Sequence, residues 1–403
     1  MRAMSARLLL FLMASTAAAA VPPPTAPSPL IHMSLHQSWG GGDEELELKD
    51  AALNSSGTLW LVVGARPRGM LSGAQRLSVW HVDAAGKVLG RIPLNSLPRQ
   101  TQSGPFSTGS VRIGILEDGA PVLMAPGEAA GLEFYRLDAV SGKLVTDVSV
   151  PVGRGSIAVT KLVSGSDGDP GIAVVGRKDS HGFIARLTSP LRPDPIITLP
   201  DPALAVVLDV IRGGSSSYVA IGTGAAEAGE LPLTLAVLAP DGRILKRMAF
   251  KGVFARVALQ QPVEAAALGY TLVQGKGTPN GTEVTVAGFT ADLTPTWKTI
   301  IADNSPCVQG FVIGPLISGK GTLAVGCDAQ HRLSVVAVGG DGQLLSRGGV
   351  EENSAAGVYV SDYKLLSARD RYVIPFTELV ARRRSDGKFE QRQMITVVAF
   401  QQP

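Results

Sequence analysis

The stretch RLSVWHVDAAGKVLGRI, residues 76–92, decides the fold, because two short apolar runs flank a tight Asp/Gly turn. This pattern predicts a β-hairpin. Similar hairpins recur as GLEFYRLDAVSGKLVTDV (131–148), GFIARLTSPLRPDPIITL (182–199), LTLAVLAPDGRILKRM (233–248), TEVTVAGFTADLTPTWKTI (282–300) and RLSVVAVGGDGQLLSR (332–347), of which the second and fourth are diverged. The chain is therefore built from a repeated pair of strands.

A second short apolar run, with a glycine at or near its end, accompanies these hairpins. Its copies are TLWLVVGA (58–65), GIAVVGR (171–177), YVAIGT (218–223), YTLVQGK (270–276) and TLAVGC (322–327). The turn glycines Gly142, Gly242 and Gly342 are 100 residues apart, and a diverged copy lies midway in each gap. The repeat is therefore about 50 residues long, which is the length of a four-stranded propeller blade.

The repeat predicts an all-β fold, a β-propeller of seven four-stranded blades whose strands run from A at the centre to D at the rim. Six complete units extend from Glu44 to Val350. The seventh has an A strand near 358–366, a B strand near 371–376 and a C strand at 394–400. We expect its D strand to come from residues 30–39, so that the N-terminal strand pairs with the C-terminal blade and closes the ring. Counts of six and eight blades stay open.

The first twenty residues have the features of a secretory signal peptide. Arg2 and Arg7 precede an apolar run, and small residues lead to an expected cleavage after Ala20. We predict three segments: a signal peptide (1–20), a Pro-rich linker (21–29) and a single propeller domain (30–403). The mature protein is then periplasmic or secreted. No later stretch approaches about 20 uninterrupted apolar residues, so we expect no membrane span.

The charge balance argues against nucleic acid as a partner. Removal of the signal peptide leaves 35 basic and 34 acidic residues, a formal charge of +1. Nucleic-acid binders usually carry a strongly basic face, whereas the one dense basic run here is ARRRSDGK at 381–388. We expect a monomer that does not bind nucleic acid.

The segment GPLISGKGT, residues 314–322, imitates a phosphate-binding loop but departs from it in two respects. Gly321 stands where that loop needs Ser or Thr for magnesium, and a strand rather than a helix follows. We therefore interpret it as the A-to-B turn of the sixth blade. We predict no nucleotide and no cofactor.

The units resemble those of secreted bacterial propeller proteins, whose blades read apolar-Val-Gly, a variable loop, and then Leu-Asp-x-x-Gly-Lys-Val-Leu. The copies at 58–94 and 217–252 carry the likeness, which covers essentially the whole mature chain. The resemblance implies that Asp83, Asp138 and Asp241 are turn residues, and it specifies no chemistry. The Gly-His and Trp-Asp signatures of WD repeats are missing.

Motifs of known catalytic or metal sites are also missing. The five histidines form no HExxH pattern, and no GxSxG elbow is present. The segment SDGDPG (166–171) has two aspartates beside glycines but lacks the later Glu of a calcium loop, which favours a plain turn. We predict no catalytic residue and no metal site.

The variable connections suggest where binding would occur. B-to-C and D-to-A connections emerge on one face of a propeller, which we call the loop face, and recognition concentrates in such loops. Basic residues there could bind an anionic ligand or an acidic protein, or they could be solvated charges balanced by neighbouring carboxylates. The candidate binding residues are Arg66, Arg68, Arg99, Arg177, Lys178, Arg382, Arg383 and Arg384.

The two cysteines are expected on adjacent strands of the sixth blade. Cys307 precedes its A strand and Cys327 ends its B strand. In an oxidising compartment we expect a disulfide between them, and two buried thiols are the alternative.

The function that best fits these features is a secreted, non-catalytic propeller scaffold that binds a protein or an anionic ligand through the loop face. Two alternatives stay open. One is an extracellular hydrolase or lyase with its site at the central channel, since a propeller can host a site without a linear motif. The other is a structural component of the envelope.

Overall fold

The computed structural model describes residues 33–40, 42–68, 75–94, 111–127, 131–152, 157–164, 171–188, 191–212, 217–224, 233–250, 254–260, 269–278, 281–305, 311–327, 332–349, 358–368, 371–383 and 389–401. Regular structure within these ranges is almost entirely β, apart from one short 3-10 turn at Pro202–Leu204.

The strands follow one another in groups of four, with the first strand standing apart. That first strand is β1 (Met33–Trp39). Blade 1 consists of β2 (Glu44–Leu53), β3 (Leu59–Pro67), β4 (Arg76–Val82) and β5 (Val88–Pro93). Blade 2 consists of β6 (Arg112–Ile115), β7 (Pro121–Pro126), β8 (Gly131–Leu137) and β9 (Leu144–Pro151). Blade 3 consists of β10 (Ile157–Ser164), β11 (Ile172–Lys178), β12 (His181–Thr188) and a divided fourth strand, β13 (Arg192–Pro193) and β14 (Ile197–Leu199).

Blades 4 to 6 continue the pattern. Blade 4 consists of β15 (Val206–Arg212), β16 (Tyr218–Thr223), β17 (Leu233–Leu238) and β18 (Ile244–Phe250). Blade 5 consists of β19 (Phe254–Gln260), β20 (Gly269–Thr278), β21 (Gly281–Thr290) and β22 (Pro295–Ser305). Blade 6 consists of β23 (Val312–Pro315), β24 (Gly321–Cys327), β25 (Leu333–Gly339) and β26 (Leu344–Gly349). The last strands are β27 (Val358–Ser361), β28 (Leu366–Ala368), β29 (Arg371–Arg383) and β30 (Phe389–Gln401).

The seventh blade joins the two ends of the chain, as the sequence predicted. Its sheet has the order β27–β29–β30–β1, with β28 pairing β29 beside β27. β1 runs antiparallel to β30, with Leu35 opposite Ala399 and Trp39 opposite Ile395. The other six sheets are formed by consecutive strands. The prediction of seven four-stranded blades closed by the N-terminal strand is therefore confirmed.

The innermost strands form the ring. β2, β6, β10, β15, β19 and β23 contact one another in that order, and β28 of the seventh blade contacts β2. Clusters of buried apolar side chains fill the spaces between blades; Trp60 and Tyr135 lie between blades 1 and 2, and Leu323 and Phe400 lie between blades 6 and 7. Each sheet is thus covered on both faces by its neighbours.

The recurring glycine of the second strand has a steric cause. A Cβ placed on Gly176 would lie 2.1 Å from the carbonyl oxygen of Ala158, and one on Gly222 would lie 2.5 Å from that of Val206. Both carbonyls belong to the neighbouring inner strand, close to the point where its pairing register shifts. Glycine is needed there because no side chain fits between the two backbones.

The segment that imitates a phosphate loop is a tight turn between β23 and β24. The Gly319 N–H donates to the Leu316 carbonyl at 2.8 Å, and the Leu316 N–H donates to the Gly321 carbonyl at 3.0 Å. Gly319 has a φ of +75°, which glycine adopts at little cost. The prediction of an A-to-B turn is confirmed.

The expected turn residues are confirmed in the outer hairpins. Gly142, Gly242 and Gly342 all have positive φ. The Asp83 carboxylate accepts the N–H groups of Ala85 and Lys87 at 2.9 and 2.8 Å, which is the geometry of an Asx turn. These aspartates therefore stabilise turns.

Two regions differ from the simple repeat. The D strand of blade 3 is divided into β13 and β14, because prolines lack the N–H that a continuous edge strand would donate. The B-to-C connection of blade 7 is a long hairpin: β29 and β30 are 13 residues each and pair up to Arg383 and Phe389.

The closing strand offers a direct test of this architecture. We expect a chain lacking residues 1–40 to lose at least about 3 kcal/mol in the free energy of unfolding relative to a chain lacking residues 1–32. The reason is that Leu35 and Trp39 pack on the core between blades 7 and 1, and the unpaired edge of β30 would promote association. Equal denaturation midpoints and equal monomer fractions for the two chains would contradict closure by β1.

Candidate functional site

Two of the candidate basic residues are placed next to each other at the loop-face end of blade 1. Arg66 lies near the end of β3, and Arg68 directly follows that strand. Arg66 Nε donates to Glu45 Oε2 at 2.7 Å, and Arg66 Nη2 donates to Gln393 Oε1 at 3.1 Å. Arg68 forms an ion pair with Glu390. Both arginines therefore connect blade 1 to the β29–β30 hairpin, and their charges are compensated.

The β29–β30 hairpin extends past its neighbours at this end of the ring. On the inner side, pairing with β27 reaches only Val380, and on the outer side, pairing with β1 reaches only Ile395. Arg382 is opposite Glu390 and Arg383 is opposite Phe389 in the two-stranded part that remains. The hairpin therefore carries these arginines beyond the body of the blade.

The remaining candidates are not gathered at this place. Arg177 and Lys178 end β11, so they are on the loop face but on blade 3. Arg99 and Arg384 lie outside the described residues. The structure thus brings Arg66 and Arg68 together with the hairpin of Arg382 and Arg383.

The predicted disulfide can be placed only in part. Cys327 ends β24, as the sequence predicted, and its side chain is buried. Cys307 lies outside the described residues. The pairing stays a prediction.

A second candidate site is the central channel, which the sequence analysis considered only as the place of an enzyme site and without naming residues. The inner strands surround a cavity of about 860 Å³. Four cations line it, and we call them the cationic arc: Lys49, Arg112, Lys161 and Lys364, from blades 1, 2, 3 and 7. Among the described residues, blades 4 to 6 contribute Thr223, Leu233 and a group that we call the apolar arc: Leu208, Ala258, Phe311, Val312 and Ile313. The channel can therefore present hydrogen-bond donors on one side and apolar surface on the other.

Bulges in the inner strands of blades 1, 3 and 4 place three charged residues at equivalent positions. The pairing register shifts just before Asp50 in β2, Lys161 in β10 and Asp209 in β15. A bulge re-aims the side chains next to it. An alignment of the A strands on this point would have revealed a charged residue at the same position in three blades.

Two aspartates at these bulges join neighbouring blades. Asp209 is fully buried; its Oδ2 accepts the Leu259 N–H of blade 5 at 2.9 Å and Lys161 Nζ of blade 3 at 2.6 Å. Asp50 accepts the Ile113 N–H of blade 2 at 3.0 Å and Lys364 Nζ of blade 7 at 2.8 Å. Each carboxylate thus contacts the blades on both sides of its own.

Hydrogen bonds from side chain to backbone join blades 2 and 3, 5 and 6, and 6 and 7, and they add to the contacts between blades 7 and 1 and between blades 3 and 4. They are Leu48 N to Thr377 Oγ1 at 2.8 Å, Ile115 N to Ser164 Oγ at 3.1 Å, Thr160 Oγ1 to Val207 O, Gln260 Nε2 to Gly321 O at 3.5 Å, and Tyr372 Oη to Pro315 O at 3.0 Å. These bonds give backbone groups near the bulges and strand ends a side-chain partner from the neighbouring blade. The wall of the channel is therefore held in a fixed arrangement.

Tyr372 joins blades 6 and 7 through a hydroxyl that stays protonated. Burial raises the pKa of Tyr372 to about 12, against the opposing effect of the Ile317 N–H that donates to the hydroxyl. The oxygen accepts that N–H at 2.7 Å while its own proton goes to the Pro315 carbonyl. The group therefore has a structural role.

His81 also has a structural role. His81 stacks on Trp60 with 4.2 Å between ring centroids and is 5% exposed. Desolvation lowers the pKa of His81, and the nearby Asp83 and Asp138 carboxylates oppose this effect. The imidazole is consequently neutral at neutral pH and packs as a ring in the core between blades 1 and 2.

Within the described ranges, no group of three or more His, Cys, Asp or Glu side chains is arranged to hold a metal ion. In the same part of the chain, no helix is long enough and apolar enough to span a membrane.

Comparison with known proteins identifies the fold. No family model matches the sequence, and no curated protein does. The Dos1 propeller matches 91% of this chain and 94% of its own, with a TM-score of 0.53 and 10% identity. A protein of unknown function from Dyadobacter fermentans matches 93% of this chain and all of its own, with a TM-score of 0.52 and 8% identity. Sqt1 from Chaetomium thermophilum matches 92% and 99%, with a TM-score of 0.50 and 11% identity.

At these identities the similarity concerns the fold alone. The chain is a seven-bladed β-propeller, and its function has to be argued from its own residues.

The buried aspartate of blade 4 allows a test of the junction bonds. We expect Asp209→Ala to lower the free energy of unfolding by about 2–4 kcal/mol, because the Leu259 and Val210 N–H groups lose their acceptor in a buried site. Chemical denaturation measures this loss.

Asp241→Ala is the matched control. Asp241 accepts the Arg243 N–H at 3.0 Å in an exposed turn, so we expect a loss below about 1 kcal/mol. Equal losses in the two variants would mean that Asp209 does not link the blades.

Proposed function

We propose that this protein is a secreted, non-catalytic propeller scaffold that binds a protein or an anionic ligand through its loop face. The β-propeller fold often serves as a binding scaffold, and recognition by such scaffolds concentrates in the connections at one end. The proposal also includes export by the N-terminal signal and a monomeric mature chain.

The observation that carries the proposal is the two-stranded extension of blade 7. Its backbone continues through residues 381–383 and 389–391 after pairing with the rest of the sheet has ended. Arg382 and Arg383 therefore lie on the part of the hairpin that extends beyond the body of the blade, and Arg384 follows them outside the described residues. In the proposal, a partner contacts this end of the hairpin. Guanidinium groups suit the recognition of carboxylates and phosphates, because one guanidinium can donate two parallel N–H hydrogen bonds to two oxygens of the same anion.

The contacts with blade 1 support this assignment. Arg66 and Arg68 are engaged by Glu45, Gln393 and Glu390. Their role in the proposal is to fix the base of the hairpin, since Gln393 and Glu390 belong to β30. In the proposal, the basic charge for a ligand comes from the run Arg382, Arg383 and Arg384. Arg177 and Lys178 of blade 3 could contribute only to a partner that extends across the face.

A partner-capture experiment tests the proposal. We expect the mature wild-type chain to retain a partner from envelope extract, and we expect a variant in which Arg382, Arg383 and Arg384 are changed to Ser to lose it, since the acidic groups of the partner would have no counter-charge. The control is a variant in which Lys87, Lys143 and Arg243 are changed to Ser, which removes the same charge from exposed C-to-D turns on the opposite face.

Retention of the same partner by both variants would place the binding surface elsewhere. Loss in both variants would indicate attraction by net charge alone. The salt dependence gives a further readout: a partner held by the arginines should dissociate more readily as the ionic strength rises.

The disulfide belongs to the same proposal, because it presupposes an oxidising compartment. We expect the non-reduced mature protein to be two hydrogens lighter than the reduced chain in an intact mass measurement. The bond between Cys307 and Cys327 would close a short loop and contribute about 3 kcal/mol on the chain-entropy estimate. Full alkylation of both cysteines under native, non-reducing conditions would contradict it.

A further inference from the structure

The size of the central channel is that of a small-molecule site. Ligand pockets in proteins range over about 300–1,000 Å³, and the cavity here is about 860 Å³. It is formed by inner strands that hydrogen bonds tie together across the blade junctions. Such a wall keeps its shape without a ligand, so little ordering is needed on binding.

The two sides of the channel differ in chemistry. Among the described residues, the four lining cations and the three lining carboxylates, Glu47, Asp50 and Asp362, belong to the contiguous blades 7, 1, 2 and 3, whereas the lining of blades 4, 5 and 6 includes no charged side chain. A ligand that fills the channel would therefore meet hydrogen-bond donors at one end and apolar side chains at the other. This is the pattern expected for an amphipathic molecule.

The lysines of the cationic arc are held by carboxylates. Lys161 pairs with the buried Asp209 and Lys364 with Asp50, while Lys49 pairs with Glu47. An ammonium group has three donors, and each of these bonds uses one of them. The side chains of Lys161 and Lys364 are 40% and 30% exposed, so further donors can point into the channel.

Arg112 is different, because no carboxylate lies within ion-pair distance of it among the described residues. Its Nη1 donates to the carbonyl oxygen of Val111 at 2.9 Å, and the guanidinium retains further N–H donors. The remaining carboxylate of the wall, Asp362, is on blade 7 and accepts the Ser361 hydroxyl at 2.9 Å. The wall of blades 2 and 3, with Arg112 and Lys161, is thus the part best suited to an anion.

From this arrangement we infer that the channel binds a small amphipathic anion, with a carboxylate or similar oxyanion at Arg112 and an apolar body against Leu208, Ala258 and Ile313. The site is separate from the loop-face hairpin of the proposed function. Arg112 donates two N–H hydrogen bonds to the oxyanion, and the Lys161 ammonium of the next blade donates another. Burial of the ligand's apolar body against the apolar arc contributes to the free energy of binding.

The test uses octanoate and its uncharged analogue octanamide as probes, with binding measured by isothermal titration calorimetry on the mature chain. We expect octanoate to bind with one site per chain. Arg112→Gln should weaken octanoate at least about tenfold, the effect of removing a charged hydrogen-bond donor. The same variant should leave the weaker binding of octanamide unchanged. Arg243→Gln, at an exposed turn, is the control and should change neither.

A second variant keeps the inference testable if Arg112→Gln alters the fold. Ala258→Phe fills part of the apolar arc and should weaken octanoate and octanamide alike. Absence of octanoate binding to the wild-type chain, or octanoate binding that neither variant changes, would overturn the inference. The hairpin variant at Arg382, Arg383 and Arg384 should bind octanoate as the wild type does, which separates failure of this site from failure of the loop-face proposal.

Discussion

The antiparallel pairing of β1 with β30 is the interaction on which the rest of the structure depends. Without it the seventh sheet would end at β30 and leave an open edge. The pairing also brings Leu35 and Trp39 onto the core between blades 7 and 1, so that both faces of the first and last sheets are covered. Because residues 33–39 and 395–400 come from opposite ends of the described chain, this contact links the first blade to the last.

Closure of the ring fixes the positions of the inner strands and hence the chemistry of the channel. The inner strands approach one another where they are bulged or short, and backbone groups there need partners from side chains. Asp50 and Asp209 supply such acceptors and at the same time hold Lys364 and Lys161. The groups that join the blades thus also determine the charge pattern of the cavity.

Most of the fold could be predicted from the sequence because its signals are local. The Asp/Gly turns, such as the one that begins at Asp83, report a tight turn, and the glycines of the B strands, such as Gly222, report the close approach of a neighbouring backbone. The site was harder to predict. Lys161 and Arg112 are single charged residues in short strands, and only the ring brings them to one wall. The pairing of Arg68 with Glu390 joins residues far apart in the chain, and no local pattern predicts it.

Amide hydrogen exchange of residues 33–39, followed by mass spectrometry on the full chain, tests the central claim most directly. A closed ring predicts that the amides of β1 that pair with β30 are protected to the same degree as those of residues 395–400, because both exchange only when the seventh blade opens. Rapid exchange of residues 33–39 beside slow exchange of residues 395–400 would contradict the account, since it would show that β30 is protected without its partner strand.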